Sequence, residues 1–202
     1  MLKRADHLDR IIAALGSLAY YLKLNSAQGF ISPAAHLEDF CIPLLGAVYG
    51  YDLTNANAAK SNTPAIDLID EHARLGIQVT INDPSSKISH TYERAANPKH
   101  KLGEKIERLI VFFVTTKAPT PPGNLPQVAG IEIESLDLTQ LITKIRSMEE
   151  KHEEIAALLD RELSGGSPAQ YVTTITQITS IIAKNYQDNR QSVIHTQNNT
   201  FS

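Results

Sequence analysis

The run Leu109-Ile-Val-Phe-Phe-Val114 constrains the fold more than any other stretch of the chain. It is short, continuous, β-branched and aromatic, and holds no polar residue. Such a run predicts a central strand buried on both faces. A strand of that kind needs cover on each side, and the surrounding sequence supplies helices to give it. The expected class is therefore α/β, a small mixed sheet flanked by helices.

The flanking elements follow from periodicity. Leu8, Ile11, Ile12, Leu15, Leu18 and Leu22 recur at helical spacing and predict a helix over 5–27 that Gln28-Gly29 can end. A second helix is expected over 33–50. Ser32 can cap it, Pro33 suits its first turn, and Leu37, Phe40, Cys41, Leu44, Leu45 and Val48 form its stripe. Pro43 conflicts with a helix interior, and Glu38 falls between apolar positions near the core edge. Residues 52–63 read as a loop. Residues 62–81 read as two short strands joined by Asp70-Glu-His-Ala-Arg74, the second alternating Leu75, Ile77, Val79 and Ile81 with Gly76, Gln78 and Thr80. A short helix follows over 87–96, stopped by Asn97-Pro98, and 117–127 is a proline-rich exposed loop. A further strand is expected over 128–135. Residues 138–163 read as a helix that can break at Ser147-Met-Glu-Glu-Lys-His-Glu-Glu154. A linker at 164–168, an amphipathic helix at 168–187 and a frayed tail at 188–202 complete the chain. The expected organisation is one domain over 1–163, then the linker, additional C-terminal helix and tail over 164–202.

Composition narrows the function classes. The chain has 202 residues, 42% apolar and 20% charged, with a net charge of -3. That mild negative balance argues against indiscriminate nucleic-acid binding. It leaves room for a local basic face, and Lys99, Lys101, Lys105 and Arg108 cluster before the central strand. A lone cysteine, Cys41, cannot form an internal disulfide, so a reducing, cytoplasmic setting is expected, with Cys41 acting as a small buried hydrophobe. No apolar run reaches the roughly 18 residues a membrane span needs, and the N-terminus lacks the pattern of a secretory signal. The histidines show no zinc-type pairing with cysteine. The chain has no glycine-rich phosphate loop of the usual kind, which ranks a nucleotide-sensing domain last.

The polar residues of 62–81 are the candidate chemistry. Asp67 sits inside an apolar run, where a carboxylate is costly unless partnered. The structural reading is a turn cap or a pair with Arg74. The functional reading is a metal ligand. The hairpin is expected to bring Asp67, Gln78 and Thr80 together at a strand edge. Mg²⁺ takes oxygen ligands and retains waters. Asp67, Glu38 from the preceding helix, the Gln78 side-chain carbonyl and the Val79 main-chain carbonyl offer such a set. A metal held this way orients a phosphodiester and lowers the pKa of bound water. Lys87 is the basic residue placed to steady the developing charge.

The run Pro64-Ala-Ile-Asp67, followed after a gap by Gln78-Val-Thr80, resembles the signature of the restriction-endonuclease-like, PD-(D/E)xK, superfamily: an acid, a gap, then Asp/Glu-x-Lys on the next strand. More narrowly, Leu53-Thr-Asn-Ala-Asn57, Ala65-Ile-Asp-Leu68, Ile77-Gln-Val-Thr80, Lys87-Ile88 and Thr91 resemble the SMEK-domain family, associated with three-component bacterial conflict systems. The resemblance covers roughly residues 10–155. It implies a helix–strand–strand–helix–strand core, with Asp67, Gln78 and Lys87 in catalytic positions and Glu38, Asp67 and Gln78 around Mg²⁺. It also implies DNA as the target and a protein partner from the same defence system. Thr80 departs from the pattern, standing where the superfamily has lysine. Either Lys87 replaces that charge or catalysis is lost. The competing expectation is a non-catalytic module that docks a partner or homodimerises through the helices at 138–163 and 168–187.

Overall fold

A computed structural model of the chain describes residues 3–27, 34–57, 65–81, 85–120 and 130–163. Helix α1 spans Lys3–Ala27 and α2 Ala34–Tyr49, running through Pro43 without ending there. Strand β1, Thr54–Asn55, lies within the stretch expected to be loop. Strands β2, Leu68–Asp70, and β3, Leu75–Thr80, make the expected hairpin. Helix α3 is Ser85–Ala96, and a short 3-10 turn and α4, Leu102–Lys105, lead into β4, Arg108–Phe113. Strand β5 is Glu132–Asp137, later than expected, and α5 follows directly over Leu138–Arg146. The long helix expected over 138–163 does break at its polar patch, where a 3-10 turn at Glu149–Lys151 separates α5 from α6, His152–Leu163. The linker, helix and tail expected beyond residue 163 lie outside the described residues. The chain divides into two units, 1–162 and 163–202. The fold described here is the first unit's, with Leu163 added as the last residue of α6.

Among the described residues, five strands form one sheet in the order β1-β2-β3-β4-β5. The first two pairings are antiparallel and the last two parallel, so the sheet is mixed. The antiparallel β2–β3 pair needs only the tight turn at 71–74. The parallel step from β3 to β4 needs a crossover, and α3 and α4 provide it. Strand β3 is the middle strand of five, paired on both sides and buried at every position. Its period-two sequence therefore does not mark a half-exposed strand. Its polar residues, Gln78 and Thr80, are buried with the rest.

Strand β4 buries every residue but Arg108, as its apolar run requires. Its residues Leu109, Val111 and Phe113 face α3 and α4. Leu109 packs with Ile66, Ala95, Leu102 and Ile106, while Val111 and Phe113 pack with Ile88. Gly76, registered beside Leu109, admits this packing: a Cβ there would lie 2.6 Å from the Ile66 side chain and 3.0 Å from Ile106. Most of the large apolar residues of α5 and α6 are buried. Leu141, Ile145 and Ile155 are fully buried, and Leu159 nearly so. Most of the apolar stripe expected over 138–163 is thus buried, with Ile142 and Met148 half-buried. No described helix is long and apolar enough to cross a membrane.

Candidate functional site

The site forms where β2 begins and β3 runs past it. The last register pair between them is Leu68 with Ile77. Asp67, one residue before β2, donates its backbone N–H to the Ile77 carbonyl at 2.8 Å, and the ladder stops there. The Asp67 side chain then takes over. Its Oδ2 accepts the Val79 backbone N–H at 2.8 Å and also a hydrogen bond from the Gln78 side-chain amide. A carboxylate thus occupies the place where a further strand carbonyl would sit. The alternative pairing of Asp67 with Arg74 is not formed: Arg74 binds Glu107 at 2.7 Å and the Gly103 carbonyl at 3.2 Å. Asp67, Gln78 and the backbone of Val79 therefore meet as expected. They meet on the middle strand of the sheet rather than at a sheet edge, just where β3 loses its partner on one side.

Gln78 is 8% exposed, which decides its status. A solvent-facing glutamine would carry no information. A buried amide is costly unless hydrogen-bonded. Its partner is the Asp67 carboxylate, which holds it in place. Thr80, two residues on and on the same face, is also buried. That face lies under α3. Gln78 and Thr80 are registered beside Val111 and Phe113, and Ile88 of α3 packs on both of those residues. Lys87 immediately precedes Ile88. The helix expected to carry the compensating cation thus starts over the Gln78–Thr80 end of β3, while the Lys87 side chain lies outside the described residues.

Glu38 approaches from α2. Its Oε2 accepts a hydrogen bond from Asn55 Nδ2 at 3.3 Å. Asn55 is registered opposite Leu68, and the Ala56 N–H bonds the Asp67 carbonyl at 2.8 Å. Strand β1 therefore links Glu38 to the segment that holds Asp67. Burial holds the Glu38 carboxyl above the usual range, the Asn55 hydrogen bond opposes that shift, and neighbouring Asp39 adds to it. Cys41, one helical turn beyond Glu38, is fully buried. Its thiol is pushed up by burial first, then by the charges of Asp67 and of Glu38. Asn55 was not singled out from sequence as a site residue. Its signal was present in the Leu53–Asn57 motif, but its link to Glu38 needs β1, which the loop reading of 52–63 did not supply.

The donor set is two carboxylates, the Gln78 amide oxygen and the Val79 carbonyl. Among the described residues no group of three or more His, Cys, Asp and Glu side chains converges as a metal-binding cluster. All the donors are oxygens, and Mg²⁺ commonly takes one or two carboxylates and keeps waters for its other positions. In donor type the set suits that ion, and Glu38, Asp67 and Gln78 would be the residues to hold it, with the Gln78 Nε2 rather than its oxygen turned toward Asp67 and the Val79 carbonyl.

Comparison with known proteins gives one family. The model of the SMEK domain matches residues 10–146. That span runs from the first half of α1 to the end of α5 and contains Glu38, Asn55, Asp67, Gln78, Thr80 and Lys87. Searches of curated proteins and of solved structures gave no match.

Proposed function

The chain belongs to the SMEK-domain family, and from that premise we propose that it is a restriction-endonuclease-like, metal-dependent nuclease domain acting on DNA in a bacterial conflict system. The observation that carries this reading is the contact of Asp67 with Gln78 and Val79 at the end of the β2–β3 ladder. The element order supports it. Helix α2, strands β2 and β3, helix α3 and strand β4 reproduce the helix–strand–strand–helix–strand core that the superfamily resemblance implies, with β1 added. Glu38, Asp67 and Gln78 hold Mg²⁺. A bound ion supplies Lewis acidity toward a phosphodiester oxygen and a more acidic water. The residues themselves contribute position. Asp67 is fixed by the Val79 N–H, Gln78 is fixed by Asp67, and Asn55 orients Glu38. Lys87, at the start of α3, is the cation assigned to the scissile phosphate in place of the missing lysine at Thr80. The setting is cytoplasmic, with a protein partner from the same defence system.

The test is plasmid cleavage with Mg²⁺ or Mn²⁺, comparing the wild type with Asp67→Asn and Lys87→Ala. The expected result is metal-dependent nicking that falls about a hundredfold or more in either variant, in the range seen when a transition-state contact is removed. Cleavage that is equal in all three proteins overturns the assignment of these residues. No cleavage by the wild type with either metal overturns the catalytic reading. A second reading, a non-catalytic interaction module, is favoured by one specific observation: Thr80 is buried where the charge should be, 7% exposed.

A further inference from the structure

Helix α1 carries a second organised face, directed away from the core. Its buried side is made by Ile11, Leu15 and Leu22. Arg10 is held within the unit by an ion pair with Asp160 of α6. On the opposite side Asp9, Ile12, Gly16, Tyr20, Lys23 and Leu24 are all exposed. Ile12, Tyr20 and Leu24 are 42%, 46% and 48% exposed and are, with neighbouring Tyr21, the exposed large hydrophobic residues of the described fold. With about 100° per residue, Asp9 and Lys23 fall within ~20° of Gly16 around the helix, and Ile12 and Tyr20 within ~40° on either side. A Cβ built on Gly16 would meet nothing within 4 Å, so the centre of the face is open. One stripe therefore runs acid, large apolar, glycine, large apolar, base.

That order is self-complementary, and we infer that α1 is the homodimerisation surface of the protein, binding α1 of a second copy in antiparallel fashion about a two-fold axis at Gly16. In such an isologous contact every pairing occurs twice. Residues equally spaced before and after Gly16 come opposite one another. Asp9 faces Lys23 of the second copy, and Ile12 faces Tyr20 of the second copy. Glycine at the crossing lets the two backbones approach, so that Ile12 and Tyr20 close over it. The parallel arrangement lacks this match, since it sets Asp9 against Asp9 and Lys23 against Lys23. Charge complementarity thus selects both the occupant and its direction. An exposed apolar row of this kind on a soluble fold marks an interaction surface. A helix of this length spans about 37 Å, so the contact lies at the small end of specific interfaces and gives a concentration-dependent dimer. The inference is independent of the nuclease reading, because no residue of the stripe belongs to that site.

Sedimentation velocity on the full chain tests it with two charge reversals, Asp9→Lys and Lys23→Asp. Both positions are exposed, so the core is untouched. The wild type dimerises reversibly. Each single variant sets like charges against each other twice and weakens the dimer about tenfold or more. An equimolar mixture of the two variants restores dimer, because each then meets its opposite charge. A folding defect does not produce that restoration. A wild type that stays monomeric up to its solubility limit overturns the inference. So do single variants that dimerise as the wild type does, and so does a mixture that remains dissociated.

Discussion

At Asp67 a single carboxylate oxygen closes the β2–β3 ladder and receives the Gln78 amide. Its removal has a stability cost apart from any catalytic one. Asp67→Ala strands the Val79 N–H and leaves the buried Gln78 amide only its long bond to the Val79 carbonyl at 3.4 Å, and the expected loss is about 1–3 kcal/mol. Asp67→Asn keeps an acceptor oxygen in place and loses less. Urea denaturation checks this, with a lowered midpoint at an unchanged slope. Two other carboxyls give pH dependences of opposite sign. Asp70 is held below its usual range by the Ala73 N–H, against the effect of burial, with help from the Asp52 N–H. Its unfolded form therefore binds more protons, and its contribution is present above the ordinary aspartate pKa of about 3.9. That contribution is lost as pH falls through the folded value, so Asp70→Asn flattens the acid limb of the stability curve. Glu38 is raised, chiefly by burial. Its folded form holds the proton longer, so its effect on stability declines as pH rises from the ordinary glutamate value through the folded one. Glu38→Gln removes that decline, and stability measured against pH across the glutamate range shows it.

At the level of elements, the parallel β3–β4 pair and the crossover above it hold the site in place. Gly76 is the tightest point in that packing, because a Cβ would collide with Ile66 and press on Ile106. Gly76→Ala is expected to destabilise by about 1–3 kcal/mol, the range for overpacking a filled core, read as a lowered thermal midpoint with the circular-dichroism spectrum retained. Much of this architecture was legible in the sequence. Leu109–Val114 announced its own burial, and the helical stripes of α2, α5 and α6 largely matched the faces that are buried, as did that of α1 except for Ile12, which is 42% exposed. The break between α5 and α6 was visible in the polar run at 147–154. Three features were less visible. Strand β1 has two residues, Thr54 and Asn55, and its pairing depends on where β2 lies rather than on its own pattern. Strand β5 runs later than its alternating residues suggest, as far as Asp137, which caps α5 and ends the strand at the same point. The alternation in β3 does not reveal that its central place in the sheet buries both faces.

At the scale of the molecule, the fold separates two surfaces. One end of the sheet carries Asp67 and Gln78 in contact, and Asn55 of β1 is bonded to Glu38 of α2. The outward face of α1 carries a charge-matched apolar stripe that plays no part in that site. Candidate residues for the first were visible as isolated polar positions in apolar runs, and the structure joined them through Asn55 and the backbone of Val79. The basis of the nuclease reading is that this oxygen set holds a divalent ion, which can be measured without any DNA. Calorimetric titration of the full chain with Mn²⁺ is the most direct measurement. The account predicts saturable binding by the wild type and affinity at least about tenfold weaker in both Glu38→Gln and Asp67→Asn, the loss typical when a group supporting a metal is removed. Absence of binding by the wild type, or equal affinity in all three proteins, would contradict it.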